Sequence, residues 1–293
     1  MKIKESMGRR TFLVVNALLL GILGFVCLAP MLHVLACSIS DPATLARVRG
    51  FHLWPIAPYS FEGYKAVLSY QSIATGYLNT IFYVVAGVAL NLILTTIAAY
   101  VLSRTRFMPR NVIMLFIAFT MLFNGGLIPN YLLIVKLGLI NSRLAILLPG
   151  AFSAFNLVIM RTSFKEIPEA LEESARLDGA NDLQILWHII LPVSKATLAV
   201  ITLFVAVALW NSWFTASIYL SDRDKWPLQL FLREILINNS QRSLNTGVKA
   251  SAMAQQTLVK YCIIVVATVP ILFIYPFLQK YFVKGIMIGS IKG

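Results

Sequence analysis

The sequence predicts an all-α membrane protein of six transmembrane helices, with a cytoplasmic helix-turn-helix loop between the fourth and fifth. Three observations predict it. Hydrophobic residues make up 58% of the 293 and charged residues only 13%, more apolar surface than a soluble domain can cover. Uncharged apolar runs recur along the chain, each about as long as the ~20 residues that span the ~30 Å hydrocarbon layer. And the acids collect in one short segment. A barrel would instead show alternating segments of ~10 residues.

The six runs lie at 11–35, 77–102, 112–135, 144–160, 196–220 and 261–278. Residues 1–293 read as one transmembrane domain, without an internal repeat or a separate soluble domain. The net charge is +13. In a chain this apolar, that excess reads as flanking Lys and Arg that set orientation, not as a nucleic-acid footprint. The short segment 103–111 carries Arg104, Arg106 and Arg110 and no acid. Short loops weigh most in the positive-inside rule, so both termini are placed inside. Lys2, Lys4, Arg9 and Arg10 before the first run resemble a signal peptide, but a run of 25 residues (11–35) exceeds a signal core and favours a retained helix. Cys27, Cys37 and Cys262 show no metal or disulfide spacing and read as packing residues.

The outer segment 40–76 reads as irregular, since Asp41-Pro42, Trp54-Pro55 and Pro58 interrupt helix. In the outer segment 221–260, a short amphipathic helix is expected at 228–237, followed by a polar stretch at 238–243.

Six of the twelve acids, Glu166, Glu169, Glu172, Glu173, Asp178 and Asp182, fall between the fourth and fifth runs, in segment 161–195. Pro168 fits the first position of a helix, and Glu169, Glu172 and Glu173 oppose the positive end of its dipole. Gly179 fits a left-handed cap. Asn181 and Gln184 form a capping-box-like pair opening a second helix that runs to Pro192. Ala170, Ser174 and Asp178 share one face of the first helix, and Leu171 and Ala175 the next. Small residues with acidic flanks suit a helix that seats in a partner's cleft. A solvated hairpin is the plainer reading of the charge alone.

Glu173-Ser174-Ala175, three residues, Gly179, nine residues, Ile189, one residue, Leu191-Pro192 resembles the EAA loop of bacterial ATP-binding-cassette (ABC) importer membrane subunits, with Ser174 for the middle alanine. Ala99-Tyr100-Val101-Leu102-Ser103-Arg104 and the stretch from Pro270 to Gly293 resemble the second membrane subunit of maltose-type importers. Asn124-Gly125-Gly126-Leu127-Ile128-Pro129-Asn130-Tyr131 is similar to a subgroup handling complex oligosaccharides, alginate importers among them. The resemblance covers roughly 53–293. It implies the type I importer fold, in which Glu173, Ser174, Ala175, Asp178, Gly179, Ile189, Leu191 and Pro192 dock a separate ATPase. It implies a homologous second permease, two ATPase subunits that hold ATP and magnesium, and a periplasmic or surface-anchored binding protein facing residues near 238–249. It also implies that within the cytoplasmic tail, 279–293, the part after Lys284 reaches between the ATPases. The location implied is the inner membrane of a bacterial cell.

No phosphate-binding loop and no zinc motif occurs, so no catalytic residue, metal or cofactor is assigned to this chain. His33, His52 and His188 are scattered and read as structural. No Asp, Glu, Lys or Arg falls inside a run; ion-coupled carriers usually need such groups, though a carrier working without an ATPase stays as the alternative, and a membrane scaffold as a third. Asn91, Asn124, Asn156 and Asn211 lie mid-run, with Thr95 and Thr96. Two readings stand: hydrogen bonds between helices, or amides lining a sugar path beside Trp210 and Trp213.

Overall fold

The computed structural model describes residues 7–48, 50–123, 125–245 and 250–290. Among them the chain is helical, with no strand and one isolated antiparallel bridge, Ser40 with Tyr59. It divides into two compact units: residues 1–70 with 235–269, and 71–234 with 270–293.

In the first unit, α1 (Met7–Ile39) presents apolar side chains outward along most of its length, and only Ala29, Ala36, Cys37 and Ser38 are buried. Segment 40–76 is more helical than expected. Asp41-Pro42 opens a helix instead of breaking one: Asp41 Oδ2 accepts from the Thr44 amide at 3.0 Å, and Pro42 takes the first turn of α2 (Pro42–Arg47), where its missing N–H is harmless. α3 (Glu62–Ser69) follows. Gly63 lets α3 sit close against Cys262 and Leu258. Ser38 Oγ and Tyr64 Oη are 2.6 Å apart, and the Cys262 thiol donates to the Ser38 carbonyl at 3.4 Å. All three cysteines are free.

The second unit is built around α4 (Gln71–Ser103), packed against α8 (Ala154–Lys165) and α12 (Lys195–Trp210). Its core includes Tyr83, Ala99, Leu157, Met160, Phe164, Ile190 and Ile201. Several apolar runs contain breaks; in the third, Asn124-Gly125-Gly126 with Pro129 already suggest one from the sequence, while the fourth and fifth read as continuous. The run 112–135 is α5 (Arg110–Leu122) and α6 (Leu127–Lys136), with Gly126 at φ +84 between them; Asn124 lies outside the described residues. In 144–160, α7 (Leu144–Leu147) and α8 are separated at Pro149-Gly150, where Pro lacks a donor and Gly costs helix entropy. In 196–220, α12 gives way to α13 (Trp213–Tyr219) at Asn211-Ser212.

α14 (Leu228–Asn245) runs past the expected 228–237 through the polar stretch, and α15 (Ala250–Ser290) continues helix into the expected tail. Among the described residues three helices are long and apolar enough to cross a membrane, or five if each bent pair is one span.

Candidate functional site

The acidic segment folds as helix, glycine turn, helix. α9 (Glu169–Leu177) starts after Pro168, which takes the extended N-cap conformation (φ −58, ψ 131), one place earlier than the expected first helical position. At the other end, Gly179 is at φ +86. The Gly179 amide donates to the Arg176 carbonyl at 3.0 Å, and the Ala180 amide to the Ala175 carbonyl at 2.9 Å. These two bonds are a Schellman termination, which needs a left-handed residue and so favours glycine. Asn181 and Gln184 then exchange side-chain-to-amide bonds of 2.9 and 2.8 Å, a complete capping box for α10 (Asp182–Ile185). A π-helical turn (Leu186–Ile190) and α11 (Leu191–Val193) continue the helix, and the axis then bends by 83° into α12.

α9 has two faces. Ala170, Glu173, Ser174, Leu177 and Asp178 are exposed, with Leu177 90% accessible. Ala175, Ile189 and Leu191 pack on the core, while Gly179 and Pro192 are exposed. The hydroxyl of Ser174 donates to the Ala170 carbonyl at 2.8 Å. It is thereby satisfied within its own helix and leaves the exposed face small.

Glu172, expected only to oppose the helix dipole, is instead buried, at 6% exposure, and pairs with Arg104 just beyond α4. Arg104 also donates to the Phe164 carbonyl at 3.2 Å near the end of α8, and its guanidinium lies 4.9 Å from the Tyr100 ring centroid. Arg161 on α8 returns a bond to Leu102 O, 2.8 Å, at the end of α4. Each arginine thus supplies a donor to the other helix's last carbonyls, the position that favours a cation. Burial pushes the Glu172 carboxyl above its ordinary value, against the pull of Arg104 and Arg176. The neighbouring Arg161 lowers Lys165. The Arg176–Asp182 ion pair closes the glycine turn.

The mid-run amides separate. Asn91 and Asn156 are buried and meet: Asn156 Nδ2 donates to Asn91 Oδ1 at 3.3 Å, Thr95 Oγ1 to the same atom at 3.4 Å, and Asn91 Nδ2 to the Gly150 carbonyl at 3.1 Å. They also border a cavity of about 380 Å³ with Ser153, Phe204, Ser212 and Thr215. Both readings of these amides therefore stand on the same two residues. Asn211 is exposed and donates to the Val207 carbonyl of its own helix at 2.9 Å; the structure does not bring it to the pair.

Residues 221–227 are stitched onto α4, an arrangement the sequence did not signal. Asn79 Nδ2 donates to the Asp224 and Trp226 carbonyls at 2.7 and 3.1 Å, Tyr83 Oη to the Lys225 carbonyl at 2.7 Å, and Arg143 to Asn79 Oδ1 at 3.0 Å. Asn141, at φ 60, accepts from the amides of Ser221 and Asp222. Hydrogen bonds from Lys225 and from the Asn141 side lower the Asp222 pKa.

Comparison with known proteins gives a consistent picture. Residues 92–288 match the family model described as binding-protein-dependent transport system inner membrane component. Protein LplC of Bacillus subtilis (strain 168) is 40% identical over 97% of this chain and 96% of its own length. The polygalacturonan/rhamnogalacturonan transport system permease protein YtcP of the same organism is 43% identical, over 92% of this chain and 93% of its own. Among solved structures, a chain from a bacterial ABC transporter involved in the import of the acidic polysaccharide alginate superposes with a TM-score of 0.84 at 39% identity, covering 96% of this chain and 100% of the other.

Proposed function

This chain belongs to the family of binding-protein-dependent transport system inner membrane components, and from that premise we propose that it is the permease subunit of an ABC importer for an acidic oligosaccharide. The observation that carries the reading is the loop 168–192: a capped, rigidly terminated helix whose exposed face is small and acid-flanked, in a chain of this family. Such a face suits insertion into a groove of a separate ATPase. Glu173, Ser174, Ala175, Asp178, Gly179, Ile189, Leu191 and Pro192 form or support that contact.

In this reading six spans cross the bacterial inner membrane with both termini in the cytoplasm. The chain pairs with a homologous permease, two ATPases that bind ATP and magnesium, and an external solute-binding protein. Closure of the ATPases moves the loop and turns the helices between inward-open and outward-open states. The cavity beside Asn91 and Asn156 offers amides to sugar hydroxyls. The acidic substrate is supported by the two relatives named for uronic acid polymers.

The test is uptake of tri-galacturonate by proteoliposomes holding the complete complex and its binding protein. Uptake that requires internal ATP and ignores a protonophore supports the proposal. Uptake by this chain alone, abolished by a protonophore and indifferent to ATP, would replace it with an ion-driven carrier.

A further inference from the structure

We infer that Arg104 is the positioning residue that makes α9 and the ends of α4 and α8 move as one body, so that displacement of the loop is delivered to the helix bundle rather than absorbed by bending. The inference rests on the importer reading for what pushes the loop, and on geometry alone for the strut.

Three contacts converge on this one side chain. Its guanidinium pairs with Glu172 on α9, donates to Phe164 O at 3.2 Å on α8, and lies over the Tyr100 ring on α4. The side chains of Arg104 and Glu172 are 13% and 8% exposed, so water competes weakly for either. Arg161 fixes the base of the strut by bonding Leu102 O, 2.8 Å. Beyond these contacts, α9 packs Ala175 on the core and pairs Arg176 with Asp182 across the glycine turn. Its outward face is exposed, Thr105 reaches Glu169 only at 3.4 Å, and the chain after it turns through a glycine. A helix of nine residues that begins at a proline and ends at a glycine turn passes force to the bundle more directly through a side chain bridging it to α4 and α8 than through its ends. A buried, planar, multiply bonded guanidinium supplies that bridge; a lysine offers one point charge and no fork.

The experiment places spin labels at Met108→Cys and Leu177→Cys, both at least 90% exposed, in a Cys27→Ser background. The complete complex in nanodiscs is measured without nucleotide and with trapped ATP. With Arg104 present, one narrow distance is expected, unmoved by nucleotide. Arg104→Met and Glu172→Ala, approached from the two sides of the pair, should each broaden it and make it nucleotide-dependent, and Arg104→Lys should restore it in part. Tri-galacturonate moved per ATP hydrolysed should fall about tenfold in Arg104→Met while hydrolysis persists. A narrow, unmoving distance in both Arg104→Met and Glu172→Ala would overturn the inference. The distance is read without sugar, so it decides on the strut even where uptake fails; absence of uptake by the unsubstituted complex counts against the importer reading instead.

Discussion

Asn156 donates its side-chain amide to the side-chain carbonyl of Asn91 across the α4–α8 contact, at 3.3 Å. Asn91 in turn holds Gly150 O, so one residue ties together α4, α8 and the break between α7 and α8. Replacing Asn91 with Ala should cost about 1–2 kcal/mol, and Asn156 with Ala about 0.5–1 kcal/mol, the range for interhelical bonds in membranes. The double substitution should be less than additive. Unfolding of the detergent-solubilised chain in mixed micelles measures this, and full additivity would mean that the two amides do not interact.

Gly179 should tolerate Asn better than Ala. No atom stands within 4 Å of a Cβ built there, so the cost of Ala is that of φ +86 alone, about 1–2 kcal/mol. Gly179→Pro removes the amide that bonds Arg176 O as well. It should leave the protein inserted yet uncouple ATP hydrolysis from uptake, as measured side by side in proteoliposomes.

Glu173→Lys separates docking from folding. Glu173 is exposed on α9, so thermal stability should change by less than about 0.5 kcal/mol. Capture of the ATPase by the purified permease should nevertheless weaken about tenfold, because the sign of a docking charge is reversed. Unchanged capture would remove Glu173 from the contact.

Two crowded glycines on α4 make predictions of different size. A Cβ at Gly76 meets the Leu228 Cα at 2.9 Å, which is backbone; at Gly87 it meets the flexible tip of Leu209. Gly76→Ala should destabilise by about 1–3 kcal/mol and Gly87→Ala by about 1 kcal/mol or less. Melting temperatures of the two variants in detergent check the order.

The pH dependence follows from Glu172. Burial raises its pKa above the ordinary 4.5, so the docked loop binds a proton that the undocked loop releases. The stabilisation from this group is complete below the ordinary value and is lost as pH rises through the raised one. Amide-exchange protection of α9, corrected for intrinsic rates, should therefore decline as pH rises from the ordinary carboxylate value through the raised one. Glu172→Gln should flatten the profile.

Much of the loop was legible because its signals are local. Gly179, Asn181 and Gln184 act on residues within five positions, and their bonds form as their spacing implies. Arg104 and Glu172 are far apart in sequence, and Arg104 read as an orientation charge at the end of a family-like stretch, with no partner named for it. The role of Arg161 at Leu102 O was hidden for the same reason. Breaks at Pro149-Gly150 and Asn211-Ser212 escaped notice because hydropathy averages over a window and a break leaves it high. Asp41-Pro42 was misjudged for a different reason. Proline stops a helix from within but starts one after a capping Asp, and the two cases share a dipeptide. Asn91 and Asn156 were both visible as polar residues in apolar runs; that they touch depended on the helix register between α4 and α8.

The most direct measurement is site-specific crosslinking from α9 in the assembled complex. Ser174→Cys, on the exposed face, in a Cys27→Ser background, carries a short thiol-reactive photocrosslinker. The account predicts capture of the ATPase subunit from position 174, and none from a control label at Phe12, exposed on α1. Capture of no ATPase from position 174, in a complex that retains one by size, would contradict it.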